Sequence, residues 1–205
     1  MQVNGVPYRT VWLEDRTVKM INQQLIPHRF EICTLANHLE TAQAITTMLV
    51  RGAGAIGASA GYGMAQVVLE APDNNGFMDL IQQGADTLRH TRPTAQDLFY
   101  AIDRVYNAVL KASSVNQARL LAVEAAEAYA DENAAAGEAI GRHGAALIPD
   151  GARVLTHCNA GWLAFVDWGS ALAPIYMASR QGKRFLYGWM RRAPVARVLH
   201  SRPGN

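Results

Sequence analysis

Arg153-Val-Leu-Thr-His-Cys-Asn-Ala-Gly161 is the stretch of this chain from which its fold class follows. The residues through Thr156 form a short apolar run that predicts a β-strand, and those from His157 to Gly161 predict a tight turn. Residues 162–179 predict a helix, which must break or bend at Pro174. A strand, a glycine-containing turn and a helix are the opening unit of a parallel α/β domain.

The sequence upstream of this unit is mostly helical. Residues 116–146 predict one long helix, because alanine, leucine and glutamate favour helices. Shorter helices are predicted from an apolar face at Ala36, Leu39, Ala42, Ile45 and Leu49, and at residues 65–69, 77–90 and 97–111. Two β-like runs, residues 8–13 and 18–21, precede them.

We therefore predict an α/β protein. Residues 1–112 form a mostly helical N-terminal domain with short β-strands at its start, and residues 113–205 form a connecting helix and an incomplete Rossmann-like domain.

Composition excludes several classes of protein. The chain has 205 residues, 50% of them hydrophobic and 18% charged, as in ordinary globular proteins. It contains no apolar run long enough for a membrane helix and no secretory signal at its start. Its two cysteines, Cys33 and Cys158, are expected to be reduced thiols of a cytoplasmic protein.

The first candidate binding segment is the glycine-rich run from Val50 to Gly63, which begins Val50-Arg-Gly-Ala53. Glycines let the backbone approach a ligand closely, and a helix that starts after such a turn offers N–H groups and a positive dipole end to phosphate. Arg51 adds a donor that matches phosphate geometry. The alternative is close packing of helices through small residues.

The second candidate is Arg92-Pro-Thr94. Thr94 is a suitable cap for a helix that starts at Ala95, and Arg92 could then contact a phosphate or a hydroxyl group. The alternative is a solvated arginine beside an ordinary cap.

The third candidate is the turn that contains Cys158. A cysteine between a strand and a helix N-terminus lies where the helix dipole lowers a thiol pKa, at the edge where α/β sheets bind ligands. The alternatives are a small buried hydrophobe for Cys158 and a core histidine for His157. Two distant cysteines and scattered histidines give no metal-ligand spacing.

The three candidate segments together resemble one family, the methylthioribose-1-phosphate isomerases, within the initiation factor 2B α/β/δ-like superfamily. Asp131-Glu-Asn133 and Ile140-Gly141 also fit the family pattern, whereas Ala53-Gly54-Ala55 replaces its usual Ala-Pro-Ala. The resemblance covers residues 1 to about 184, which is about half of a full family member.

The resemblance implies an aldose–ketose isomerase of methionine salvage, part of amino-acid biosynthesis, that converts 5-methylthioribose 1-phosphate into the ribulose 1-phosphate. It implies no metal, no organic cofactor and a homodimer of full-length chains. The implied substrate-binding residues are Arg51, Gly52, Ala53 and Arg92. The implied catalytic residue is Cys158, whose partner is an aspartate farther along the family sequence.

The tail from about residue 185 departs from the family pattern. The family continues with Trp-Val-Asp-Glu-Thr-Arg-Pro, whereas this chain has Tyr187-Gly-Trp-Met-Arg-Arg-Ala-Pro194. The observed peptide can be written with the codons TAT GGG TGG ATG AGA CGC GCC CC, and the same bases read in a shifted frame encode the family peptide. The tail from Gln181 also has six basic residues and no acidic one. We therefore expect a frameshift near residue 185, the loss of the catalytic aspartate and an inactive, truncated chain.

Three other functions fit the sequence less well. A regulatory subunit related to the translation initiation exchange factor is disfavoured, because Arg51 and the full Cys158 motif are both present. A ribose-1,5-bisphosphate isomerase would need more basic residues for its second phosphate. Nucleic-acid binding would use the basic tail with Phe185, Tyr187 and Trp189, but no domain holds these aromatic residues. We therefore expect a small sugar phosphate as the partner, and neither nucleic acid nor membrane.

Overall fold

A computed structural model describes residues 1–190 and 197–199 of the chain, with side chains through residue 188. The remainder of the predicted off-pattern tail, residues 191–196 and 200–205, lies outside the described residues. The mixed helices and strands confirm the predicted α/β class.

The helices are α1 (His38–Thr46), α2 (Ala53–Glu70), α3 (Phe77–Arg89), α4 (Gln96–Val109), α5 (Val115–Ala145) and α6 (Ala173–Arg180). The strands are β1 (Gln2–Val3), β2 (Val6–Pro7), β3 (Val11–Glu14), β4 (Thr17–Ile21), β5 (Ile32–Leu35), β6 (Arg153–His157), β7 (Leu186–Met190) and β8 (Arg197–Leu199).

The start of the chain forms short strands, as predicted, and the structure shows that they pair in antiparallel fashion. β1 pairs with β2, and β3, β4 and β5 form a three-stranded antiparallel sheet in that order. Val11 pairs with Met20 across β3 and β4, and both side chains are completely buried. Alternate residues of these strands therefore anchor the small sheet on the helical core.

Helix α2 is the centre of that core. All its residues from Gly54 to Val68 are buried, and α1, α3, α4 and α5 pack around it. A helix that is apolar on every side is stable only when it is surrounded. The prediction that helix begins only near Ala65 is wrong, because α2 already begins at Ala53. Close packing against its neighbours outweighs the low helix propensity of its glycines.

Two other helix boundaries differ from the predictions. α1 ends at Thr46, and the backbone of Met48 then has a φ of 61°, so Leu49 does not continue the predicted apolar face. Leu39 of that face is 59% exposed. α4 is preceded by Ala95, which provides no side-chain cap, so the prediction that Thr94 caps a helix starting at Ala95 is wrong.

The long helix α5 connects the two parts of the chain, because it packs against α2 and α4 and also against α6. Its start is capped by Ser114, whose side chain accepts a hydrogen bond from Gln117 N at 3.2 Å. The predicted division at residues 112 and 113 stays a prediction. None of the helices in residues 1–190 is both long and apolar enough to cross a membrane.

The predicted parallel unit is present: β6 pairs with β7 in parallel, and β8 then pairs with β7 antiparallel. The predicted continuous helix over residues 162–179 is wrong. Only Trp162–Ala164 forms a 3₁₀ turn, and α6 begins at Ala173. Trp168 and Gly169 both have positive φ, which interrupts any helix, and Pro174 lies in the first turn of α6, where a proline is tolerated.

Candidate active site

Cys158 follows β6 directly and opens an irregular loop of residues 158–172, called here the cysteine loop. The Cys158 backbone has a φ of 71°, and the residue is exposed. The expected helix dipole does not act on it, because the next α-helix begins only at Ala173. The alternative of a small buried hydrophobe is also wrong. His157 is exposed too, so the interpretation of His157 as a core residue is wrong.

The Arg51–Ala53 segment lies against the cysteine loop. Gly52 has a φ of 95°, and a Cβ atom at this position would lie 2.6 Å from the carbonyl oxygen of Ala164 and closer still to Ala164 Cα. Gly54 approaches Phe165 and Asn133 similarly, since a Cβ atom on Gly54 would lie 2.7 Å from the Asn133 side chain. Residues separated by more than a hundred positions therefore meet because glycine leaves room for backbone contact.

The N-terminus of α2 lies at this contact. Gly52 is its N-cap and provides no side-chain hydrogen bond, while Gly52 O accepts the bond from Ile56 N at 2.9 Å. The amides of the first helical turn therefore have no intrahelical acceptor and, with the helix dipole, suit an anion. Arg51 is half-buried beside them, and its Nε donates to Met48 O at 3.4 Å. The glycine-rich run therefore has the properties of both alternatives: its start is compatible with an anion, and its small residues allow close packing of helices.

Arg92 lies in the turn between α3 and α4. Its Nη1 atom is buried and has no hydrogen-bond partner among the described residues. A buried charged nitrogen without a partner is costly, so an anion here would be stabilising. The chain just after this turn contacts α2: a Cβ atom on Gly57 would lie 3.0 Å from Asp97 O. Gly57 lies one helical turn beyond Ala53, about 6 Å along the axis.

A cavity of about 300 Å³ opens beside Cys158. Its lining consists of residues of the cysteine loop together with one residue each from α6 and β7: Cys158, Asn159, Ala160, Gly161, Trp162, Leu163, Leu172, Tyr176 and Tyr187. Burial raises the pKa of the Tyr176 phenol, although its hydrogen bond with the Trp162 backbone acts in the opposite direction. The indole Nε1 of Trp162 is buried without a hydrogen-bond partner among the described residues. The cavity is therefore mainly aromatic and aliphatic, with few polar atoms.

Three residues that the sequence did not indicate as functional hold the cysteine loop. Thr10 Oγ1 donates to Trp162 O at 3.2 Å, and Thr10 N donates to Val166 O at 2.9 Å. Gln23 Nε2 donates to Leu163 O at 2.6 Å, and Asn133 Oδ1 accepts from Val166 N at 3.0 Å. Only Asn133 had a signal in the sequence, the Asp131-Glu-Asn133 motif.

The described contacts bring the start of α2, which Arg51 precedes, against Ala164 of the loop that Cys158 opens, and the turn with Arg92 leads into a segment that contacts α2 one helical turn farther on. Such a set can hold a phosphate ester and place its carbon skeleton near a group that exchanges protons. Within the described residues, no three histidine, cysteine or acidic side chains are grouped so that they could hold a metal ion. The roles of Arg51, Gly52, Ala53, Arg92 and Cys158 stay predictions.

The fold packs helices around α2 and continues through α5 to a sheet in which β6 and β7 pair in parallel. Residues 49–190 match the model of the initiation factor 2 subunit family, and the chain belongs to that family.

Several relatives carry the name that the sequence motifs suggested. The chain is 43% identical over 191 residues to methylthioribose-1-phosphate isomerase of Paramagnetospirillum magneticum, and 44% identical to that of Methylorubrum populi. Each match covers 89% of this chain and 51% of the relative. The chain therefore spans about half the length of the curated relatives it matches. These matches confirm the predicted family resemblance.

Two solved structures are similar to the fold. Translation initiation factor eIF-2B subunit delta from A. fulgidus has a TM-score of 0.81 and 39% identity, covering 88% of this chain and 54% of that one. 5-Methylthioribose 1-phosphate isomerase from Pyrococcus horikoshii has a TM-score of 0.80 and 34% identity, covering 87% and 51%. Both names occur among relatives of comparable similarity, so the fold alone does not choose between enzyme and subunit.

Proposed function

We propose that this chain carries part of the active site of an isomerase that converts 5-methylthioribose 1-phosphate into the ribulose 1-phosphate in methionine salvage. The observation that supports the proposal most is the contact between Gly52 and Ala164, which brings the Arg51–Ala53 segment against the cysteine loop. Arg51, the first amides of α2 and Arg92 bind the phosphate. Cys158 acts on the sugar.

The reaction defines what the site must supply. The bond between C1 and the ring oxygen breaks while the phosphate stays on C1, and the ring oxygen takes up a proton. A hydrogen moves from C2 to C1, and the C2 hydroxyl loses a proton as it becomes a carbonyl. One group must therefore give a proton and another must accept one, in a site shielded from water. In this proposal Cys158 is one group, and the family's aspartate is its partner.

The cavity beside Cys158 favours an apolar substituent on the sugar. Its lining includes Trp162, Leu163 and Leu172 and, among the residues that the structure describes, neither arginine nor lysine. A second phosphate, as in ribose 1,5-bisphosphate, would be placed there without a counter-charge, which is unfavourable. A methylthio group would instead contact aromatic and aliphatic surfaces.

The other parts of the proposal concern the whole protein. The full-length enzyme is a cytoplasmic homodimer that needs neither metal nor organic cofactor and binds neither nucleic acid nor membrane. The frameshift near residue 185 stays a prediction. If it is correct, the partner aspartate is not encoded in this frame, and the 205-residue chain binds substrate without turning it over.

The second candidate function is a non-catalytic regulatory subunit. It is favoured by the similarity to the A. fulgidus structure named as translation initiation factor eIF-2B subunit delta, at 39% identity. A regulatory subunit would need neither an exposed cysteine at the loop nor a cavity beside it.

Calorimetric titration separates these functions. The chain should bind 5-methylthioribose 1-phosphate more tightly than ribose 1,5-bisphosphate, and Arg92→Ala should weaken binding at least about tenfold, because charge-assisted bonds are strong. Arg29→Ala is the control, since Arg29 is exposed and forms a local ion pair with Glu31. Absence of sugar-phosphate binding by the wild-type chain would overturn the isomerase proposal.

A further inference from the structure

Gln23 contacts both segments of the candidate site. It lies in the turn after β4 and is 9% exposed, which is unusual for a glutamine. Its backbone N donates to Leu49 O at 3.0 Å, two residues before Arg51. Its side-chain Nε2 donates to Leu163 O at 2.6 Å, in the cysteine loop. Gln23 thus bonds through its main chain to the segment that precedes Arg51, and through its side chain to the cysteine loop.

We propose that Gln23 is a positioning residue that fixes the distance between the Arg51–Ala53 segment and the cysteine loop. Its importance for catalysis rests on the proposed isomerase function. The two segments come from different parts of the chain, and only a small fraction of the loop is regular structure. A site of this kind needs supporting hydrogen bonds from a rigid element to hold its groups in place. β4, which is paired on both sides, is such an element.

The other contacts of the loop cannot perform the same task. Thr10 bonds to Trp162 O and Val166 O, and its carbonyl accepts from Ile21 N, so it ties the loop to the small sheet. Asn133 of α5 accepts a hydrogen bond from the loop and meets the start of α2 only by packing against Gly54, without a hydrogen bond to it among the described residues. Gly52 and Ala164 touch through packing, which limits how close the segments come. Gln23 contributes directional bonds to both sides, which limit how far apart they move.

Gln24 provides a matched control. It is the same residue type at the next position, it is exposed, and its Nε2 donates to Thr47 O at 2.7 Å. This bond reaches the end of α1 and not the cysteine loop. Gln23→Leu and Gln24→Leu therefore remove comparable bonds, of which only the first joins the two segments. Gln23→Glu is the conservative variant, because a carboxylate cannot donate to Leu163 O whereas a protonated carboxyl can.

The test combines three measurements on the full chain. The first is hydrogen exchange at Ala164 and Phe165, whose amides donate to Gly161 O and Trp162 O. Their protection factors should fall about tenfold in Gln23→Leu, stay unchanged in Gln24→Leu, and recover in Gln23→Glu as the pH is lowered. The second is the dissociation constant of inorganic phosphate, which should stay unchanged in all variants, because Arg51 and Arg92 are intact.

The third measurement is the rate of Cys158 alkylation, followed by peptide mass spectrometry so that Cys33 is counted separately. Saturating 5-methylthioribose 1-phosphate should slow alkylation in the wild type and in Gln24→Leu but not in Gln23→Leu. Loss of this protection with unchanged phosphate affinity and unchanged unfolding free energy indicates positioning, since a general loss of structure would change all three.

Each outcome decides the proposal. Equal protection factors in Gln23→Leu and wild type would overturn it, and so would sugar-phosphate protection of Cys158 that survives in Gln23→Leu. If the wild-type chain binds no sugar phosphate, the proposed isomerase function fails. The protection factors then still decide whether Gln23 positions the loop.

Discussion

Gly52 and Ala164 pack so closely that a Cβ atom on Gly52 would lie 2.6 Å from Ala164 O. Gly52 also has a φ of 95°, where side chains with a Cβ are strained. Gly52→Ala should therefore lower the unfolding free energy by about 3 kcal/mol, from backbone strain and overpacking together. Urea unfolding measures this change.

Gly151→Ala is the control for Gly52→Ala. Gly151 has a φ of 78° and no heavy atom within 4 Å of an ideal Cβ, so only backbone strain remains. Its cost should be about 1 kcal/mol. Equal costs at the two positions would show that Gly52 does not support the cysteine loop through close contact.

Two glycines of α2 should respond to alanine in opposite directions. A Cβ on Gly57 would come within 3.0 Å of Asp97 Cβ and closer to the Tyr129 hydroxyl, whereas a Cβ on Gly61 would be 3.6 Å from Ala101 Cβ. Gly57→Ala should cost about 2 kcal/mol by overpacking. Gly61→Ala should stabilise by about 0.5–1 kcal/mol, because alanine favours the helix. Thermal or urea unfolding measures both, and a stabilising Gly57→Ala would contradict the described packing of α2.

Asn133 joins the cysteine loop to the start of α2. Its Oδ1 accepts from Val166 N at 3.0 Å, and its side chain faces Gly54. Asn133→Asp keeps the acceptor but places a negative charge at the helix N-terminus, so phosphate binding should weaken several-fold at low salt. Titration with inorganic phosphate at two salt concentrations measures this. Unchanged affinity at low salt would place the anion elsewhere.

Buried tyrosines should make the protein less stable at alkaline pH. Burial, with the nearby charge of Asp97, raises the pKa of Tyr129 above its usual value. The unfolded chain therefore loses this proton near pH 10, while the folded chain keeps it. Stability contributed by the neutral phenol is complete below that pH and declines as the pH rises further.

Tyr129→Phe tests this pH dependence. Above about pH 10, the unfolding free energy of the variant should fall less steeply than that of the wild type, by about 1.4 kcal/mol per pH unit for one proton. Urea unfolding at several pH values from about pH 8 to about pH 11, a range that spans the usual tyrosine pKa, gives the two slopes. Parallel slopes would show that Tyr129 ionises alike in the folded and unfolded chains.

The sequence predicts regular elements best where local patterns and packing agree. α3, α4, α5 and β6 all occur within a few residues of their predicted bounds, because each has a strong period or composition. α2 was missed in its first half, because glycine has low helix propensity and only the surrounding helices stabilise it. The break after Ala164 was also missed. It depends on close approaches such as that of Gly137 to Gly169 O, which local sequence does not encode.

The residues of the candidate site likewise fall into two groups, those that local sequence indicates and those that only tertiary contacts reveal. Arg51, Arg92 and Cys158 stand in local motifs, so the sequence alone could indicate them. Thr10 and Gln23 stand in no motif, and they acquire a role only because the small sheet reaches the cysteine loop. Residues of this kind become visible only when the tertiary contacts are known.

An isomerase assay tests the central claim most directly. 5-Methylthioribose 1-phosphate is incubated with the 205-residue chain, with a version whose reading frame is restored near codon 185, and with Cys158→Ala in the restored version. Formation of the ribulose 1-phosphate is then followed. We predict turnover by the restored version alone. Turnover by the 205-residue chain itself, or none by the restored version, would contradict it.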